Sequence, residues 1–197
     1  MLHSIRVFLT LIVVSTMSFA DVFMTEISDP QNESTHGRFV ELYNSGDTDV
    51  DLSTWSLQRW TNEQTDPKNP YSLSGTIAAG GFYIACNNAT QFNTTYSLVC
   101  DIELTGQNSP TESNGDDQIA LLNDGTIVDM FGVVGEDGSG TSHEFEDGRA
   151  ERNDGVCSAS GSTWSSSDWT VDNDSADPGG EGPTYAPDGF DPGSWIG

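Results

Sequence analysis

Between Phe39 and Leu57 the chain runs through an apolar stretch, a tight polar turn, a short crossing segment and a second apolar stretch. Phe39, Leu42, Val50, Leu52, Trp55 and Leu57 supply the apolar side, while Gly46 and the Asp, Asn and Ser residues around it supply turn chemistry. The same grammar continues along the chain. Short apolar runs alternate with clusters of Gly, Asn, Asp, Ser and Pro, and helical periodicity is nearly absent. Such spacing belongs to an all-β sandwich or barrel. It predicts strands over Val22–Ile27, Arg38–Asn44, Trp55–Arg59 and Phe82–Cys86, and an edge strand over Tyr96–Ile102. The clearest hairpin is Gln118–Leu122, then Asn123-Asp124-Gly125, then Thr126–Phe131, whose Asp-Gly suits a type I′ turn or a three-residue loop closed by Gly.

Residues 1–20 carry the pattern of a secretory signal peptide. Arg6 lies in the n-region, Val7 to Val14 form an apolar core, and Ser18-Phe19-Ala20 is a small-x-Ala cleavage site before Asp21. The apolar run falls short of the ~20 residues a membrane span needs. The expectation is an exported chain without a membrane span; the alternative is a retained N-terminal anchor. The formal net charge is −25. Losing Arg6 leaves 6 − 1 = 5 basic residues against 31 acidic ones, a net 5 − 31 = −26. This field repels nucleic acid and anionic membrane and attracts cations, so nucleic acid is not an expected partner. The simpler reading is that acidity keeps an extracellular protein soluble. Cys86, Cys100 and Cys157 remain after residue 20. Export permits a disulfide, and Cys86 and Cys100, each ending a strand-like run, are the expected pair, with Cys157 left over.

Four segments in order resemble the lamin tail domain family. They are Val22–Ile27, Phe39–Asn44 running into Asp51–Leu57, Ile77–Ile84, and Gly115–Leu122 with Asp124–Asp129. The resemblance implies an immunoglobulin-like β-sandwich over residues 21–134. The segment after 135, with His143 to Arg152, resembles an extension found in secreted bacterial versions. Bacterial members are typically exported and often fused to extracellular nucleases or other hydrolases, where the domain looks like an attachment or substrate-presenting module. The eukaryotic lamin tail is associated with chromatin and partner proteins, but this chain lacks a basic surface for such contact. Residues 135–197 are rich in Gly, Ser, Asp and Pro, yet Trp164, Trp169, Tyr185, Phe190 and Trp195 punctuate them. Disordered tails normally lack aromatics. The extension therefore reads as wrapped on the sandwich by aromatic anchors, against the alternative of a mobile tail.

Candidate chemistry is thin. In a strand, His143, Phe145 and Asp147 would share one face and Glu144 and Glu146 the other. One histidine among carboxylates is weak against the three or four ligands a metal centre uses. The plainer reading has Arg149 and Arg152 pairing with Glu144, Glu146 or Glu151. Calcium is the more plausible ion, since it takes several oxygen ligands from Gly/Asp-rich loops. Asp47–Asp51, Asn114–Asp117 and Asp172–Asp177 are such loops, with Asp116, Asp117, Asp172, Asp174 and Asp177 as the ligand candidates, though none has EF-hand spacing. No Gly-x-Ser-x-Gly elbow is present. Cys157 with His143 is one nucleophile–base pair the sequence offers, the histidines past residue 20 being His36 and His143. Trp55 reads as core. Trp60, Trp164, Trp169 and Trp195 read either as exposed rings for a carbohydrate or protein ligand or as anchors of the extension. Asn32, Asn88, Asn93 and Asn173 begin Asn-x-Ser/Thr sequons.

These observations lead to a secreted, non-catalytic binding or structural module acting outside the cell or at its surface, in adhesion, assembly or scaffolding. An extracellular protein or carbohydrate is the expected partner, with calcium-dependent self-association through acidic loops or a Cys157–Cys157 bridge as a further alternative. The alternative is an accessory or catalytic component of an extracellular nuclease-type hydrolase system.

Overall fold

The computed structural model describes residues 22–32, 37–173 and 182–195. Residues 1–20, read above as a signal peptide, lie outside them. The strands are β1 (Val22–Ser28), β2 (Phe39–Asn44), β3 (Val50–Asp51), β4 (Trp55–Trp60), β5 (Tyr71–Ser72), β6 (Thr76–Ile77) and β7 (Phe82–Cys86). After a helix α1 (Ala89–Tyr96) come β8 (Ile102–Glu103), β9 (Gln118–Asn123), β10 (Thr126–Phe131), β11 (Arg149–Arg152) and β12 (Trp169–Asp172). A six-stranded sheet in the order β12-β11-β1-β2-β7-β8 and a four-stranded sheet in the order β10-β9-β4-β5 make up the sandwich, with β3 and β6 forming a small separate ladder. Every ladder is antiparallel except β7–β8.

The inward faces interlock as the strand period requires. Val22, Met24, Ile27, Val40 and Leu42 of the larger sheet meet Trp55, Leu57, Ile119, Leu121 and Phe131 of the smaller one in a single buried cluster. Each such side chain contributes roughly 1.5–3 kcal/mol relative to exposure. The outward face of the larger sheet is buried too. Phe23 packs with Ala159 and Trp195, and Phe39 and Ile84 pack with Phe92, Ala186 and Phe190. Burial on both sides explains why β1 is buried along its whole length instead of alternating with solvent. In the β9–β10 hairpin Asp124 has φ 48° and Gly125 φ 73°. Two consecutive left-handed residues define the two-residue type I′ turn that matches strand twist.

One expected element is wrong. Tyr96–Ile102 is not an edge strand, because the segment before it folds as helix α1 and only Ile102–Glu103 pairs, parallel to β7. Asn88 caps the helix by accepting from the Gln91 amide at 3.0 Å. Ser97 ends it in the left-handed conformation at φ 59°. Polar caps at both ends, with Phe92 buried between them, outweigh the β-propensity of the residues that follow. A disulfide joins Cys86 to Cys100 across a separation of 14 residues and straps this helix to the end of β7. Closing a loop of that size stabilises a fold by about 3 kcal/mol on the chain-entropy account. Reduction with dithiothreitol, or a Cys86→Ala/Cys100→Ala variant, is therefore expected to lower the thermal midpoint by several degrees, read by circular dichroism. An unchanged midpoint would show that the bridge constrains nothing.

Candidate functional site

Two β-bulges meet inside the sandwich. The register slips between Met24 and Glu26 in β1 and between Ile127 and Asp129 in β10. A bulge frees backbone groups from the ladder and re-aims side chains. Here it sends Asp129 inward, where its Oδ2 accepts from the Met24 amide at 2.9 Å. Arg152 of β11 closes the arrangement. Its Nη2 donates to Asp129 Oδ2 at 2.6 Å, its Nε to the Met24 carbonyl at 2.6 Å and its Nη1 to the Ser158 carbonyl at 3.3 Å. Asp129 Oδ1 accepts from both the Ser160 amide and hydroxyl, at 2.8 and 3.0 Å. The Arg152 guanidinium lies 5.1 Å from the Phe23 ring centre and 4.6 Å from that of Trp169, and its carbonyl accepts from Trp195 Nε1. Both ionic side chains are fully enclosed. The expected pairing of Arg152 with Glu144, Glu146 or Glu151 is thereby corrected: the bulges bring a carboxylate from another sheet closer than any sequence neighbour. Arg149 does reach Glu151 at 3.0 Å, and also Asp191 at 2.7 Å and Glu26 at 3.4 Å.

A second polar cluster lies on the outward face of the larger sheet. Glu26 and Glu41 are register partners of β1 and β2. Glu41 accepts from Thr25 Oγ1 at 2.7 Å and from the Gly193 amide, so the segment ending at Trp195 lies over both carboxylates. Burial pushes Glu41 up to about 7 against the favourable hydrogen bonds from Gly193 and Thr25. Burial, followed by the neighbouring Glu41 charge, holds Glu26 well above the usual carboxylate range.

The calcium candidates do not converge. Asp117 is spent on structure: its carboxylate pairs with Arg59, accepts from Ser113 at 2.9 Å and accepts from the Asn62 amide at 3.2 Å. Asp116 accepts from Asn62 Nδ2 at 2.7 Å. Asp172 stands 3.9 Å from Arg149, and Asp174 and Asp177 lie outside the described residues. Asp49 and Asp51 accept from the Ala79 and Ser53 amides, as turn-capping residues do. Among the described residues no group of three or more His, Cys, Asp or Glu is arranged to hold a metal ion. Residues 141–148 form turns and bends, not a strand, and place His143, Glu144 and Phe145 together in the interior. His143 is enclosed while Cys157 is an exposed free thiol, so they form no nucleophile–base pair.

The tryptophans are mostly anchors. Trp60, Trp169 and Trp195 are each about 5% exposed and offer no free ring face. Trp60 packs with Ala120, Leu122 and Met130, Trp169 with Phe131, and Trp195 with Phe23 and Tyr43. The sequence leaves both roles open for these rings because each packs on residues distant along the chain. Trp164 differs. Half-buried, it walls a groove of about 200 Å³ with Met130, Gly132, Val133, Val134 and Thr163. Val133 and Val134 are 45% and 41% exposed. This groove follows directly on β10, and its exposed Val-Val pair next to Gly132 is the signal that could have marked it in the sequence. A larger depression, about 370 Å³, opens over Glu151, Asn153, Asp154 and Thr170, but the Arg152 beside it is already committed to Asp129.

An immunoglobulin-like sandwich whose interior ions hold sheets together, with one tryptophan-walled groove at its surface, defines a binding or structural domain. Residues 15–135 match the Lamin Tail Domain family, and the chain belongs to that family of non-catalytic domains. Comparison with curated proteins finds no match.

Proposed function

We propose that this chain is an exported, non-catalytic module that acts outside the cell or at its surface in adhesion, assembly or scaffolding. The observation that carries the reading is how its ionic groups are spent. Arg152 with Asp129 and Arg59 with Asp117 are sealed into structural pairs, so these four ionic groups serve the fold and are not available for chemistry. The Cys86–Cys100 disulfide supports an oxidising destination. The pattern of residues 1–20 and the resemblance of the extension to secreted bacterial versions support the same route. Cell fractionation with mass spectrometry of the chain N-terminus tests it. The expected result is a chain beginning at Asp21 in the medium or on the cell surface. Protein retained in the cytosol with Met1 intact would overturn export. A hydrolytic activity of the purified chain that a single polar substitution abolishes would overturn the non-catalytic reading.

A further inference from the structure

The groove walled by Trp164 and Met130 turns two aliphatic side chains, Val133 and Val134, out to solvent. Its volume of about 200 Å³ lies below the roughly 300–1,000 Å³ of a pocket that encloses a whole small ligand. It suits one protruding apolar side chain, and the indole and the valine pair give that side chain an apolar surface to cover.

Carboxylates surround this patch. The Glu136 amide donates to the Val133 carbonyl at 3.1 Å, so the tight turn that displays the valines ends in Glu136 and Asp137. The Glu136 side chain is 49% exposed. Hydrogen bonds from Ser139 hold the Asp137 carboxyl below its ordinary range. A Cβ on Gly135 would come within 3.3 Å of Thr65 Cγ2, so loop 61–68 lies against the same turn and adds the exposed Glu63 and Asp66. Asn62 ties the loop down, its Nδ2 donating to Asp116 Oδ2 at 2.7 Å and reaching Asp137 Oδ2 at 3.5 Å. On the same loop Lys68 Nζ donates to Gln64 Oε1 at 2.7 Å, and the nearby Arg59 is neutralised by Asp117. The balance around the groove is strongly negative.

Charge and shape together select the occupant. A second copy of this chain fits poorly. Of its five Lys and Arg past residue 20, Arg38, Arg59, Arg149 and Arg152 are already paired with carboxylates, and its exposed Leu98–Val99 pair is followed by Asp101 and Glu103. Phosphates and anionic sugars are repelled. A cationic polysaccharide has the charge but no aliphatic side chain for the pocket. Resting on the binding-module reading above, we infer that the Trp164 groove docks a basic segment of a partner protein, one aliphatic side chain entering beside Trp164 and Val134 while flanking Lys or Arg side chains meet Glu63, Asp66, Glu136 and Asp137. The apolar contact is the anchor, and the ionic rim sets the rate of encounter and the choice of partner.

Isothermal titration calorimetry of the purified full chain against three hexapeptides tests this. One has two leucines flanked on each side by two lysines, one replaces the leucines by serines, and one replaces the lysines by glutamates. Saturable binding of the first is expected, at least tenfold tighter than of either control and weakened as sodium chloride rises from about 50 to 500 mM. Val134→Ser removes only part of the exposed lip and is expected to weaken that binding about tenfold at an unchanged thermal midpoint. Glu63→Lys/Glu136→Lys reverses two exposed rim charges and is expected to shift preference toward the glutamate-flanked peptide. No saturable binding of the first peptide up to about 1 mM would overturn the inference. So would equal binding of the serine-centred peptide, which marks general attraction to an acidic surface, or binding that Val134→Ser leaves intact. Tighter binding of a glucosamine hexasaccharide than of the leucine-centred peptide would replace the protein partner by a cationic polysaccharide. None of these outcomes touches export or the lack of catalysis, which fractionation and activity measurements decide separately.

Discussion

Replacing Arg152 by methionine is expected to cost about 3–5 kcal/mol of folding stability, the scale seen when one partner of a buried ion pair is removed. The substitution leaves the Asp129 carboxylate charged, enclosed and without its cation, and deprives the Met24 and Ser158 carbonyls of their donors. It also removes the cation seated between Phe23 and Trp169. Total stability of a domain this size is only about 5–15 kcal/mol, so the variant should unfold at markedly lower urea. Asp129→Asn should fall in the same direction, since it strands the guanidinium. The double variant Arg152→Met/Asp129→Leu should recover much of the loss, because removing both charges removes the desolvation they impose. Urea titrations at constant slope measure all three. A loss below about 1 kcal/mol in either single variant would show that the pair is dispensable and that packing alone holds the extension.

Raising the pH from 5 to 9 is expected to destabilise the protein. Glu41 has a folded-state pKa of about 7, above its ordinary value of 4.5, so the folded chain holds this proton more tightly than the unfolded chain. Its stabilising contribution is complete below about pH 4.5 and is lost as the pH climbs through 7. With 1.36 kcal/mol per unit, that contribution is on the order of 3 kcal/mol. Burial also raises Asp29, to about 6 despite the opposing Arg38 charge, and Glu26 shifts the same way. Glu41 faces Thr25, the Gly193 amide, Asp191 and Glu151, with Glu26 and its partner Arg149 adjacent. Deprotonation adds a further negative charge to this group beneath the 182–195 segment. Thermal midpoints at pH 5, 7 and 9 give the slope, and Glu41→Gln should flatten it and leave the variant the more stable protein at pH 9. A midpoint that rises toward pH 9 would contradict the burial of these carboxylates.

Much of the framework was legible in local pattern. Alternating apolar residues, Gly/Asp turns and the Asp124-Gly125 pair mark β1, β2, β4, β7 and the β9–β10 hairpin within a residue or two, because strand period and turn chemistry act over a few residues. The fold class and the Cys86–Cys100 pairing were legible for the same reason. Helix α1 was missed because its determinants are two caps, Asn88 and Ser97, in a segment of low helical amphipathicity. Asp129 carried a faint mark, a charge set in the middle of Ile127–Phe131, but its partner lies 23 residues on and its amide donor 105 residues back. The roles of Trp60, Trp164, Trp169 and Trp195 were undecidable locally, since each ring is equally apolar whether packed or free. Short-range chemistry determined that this chain makes short strands joined by tight turns. Only the tertiary structure decided that two bulges would face each other, that Arg152 would bind another sheet's aspartate, and that Trp164 would remain at a groove. Those outcomes depend on which distant segments become neighbours, and burial, which gives each side chain its role, does not exist until they do.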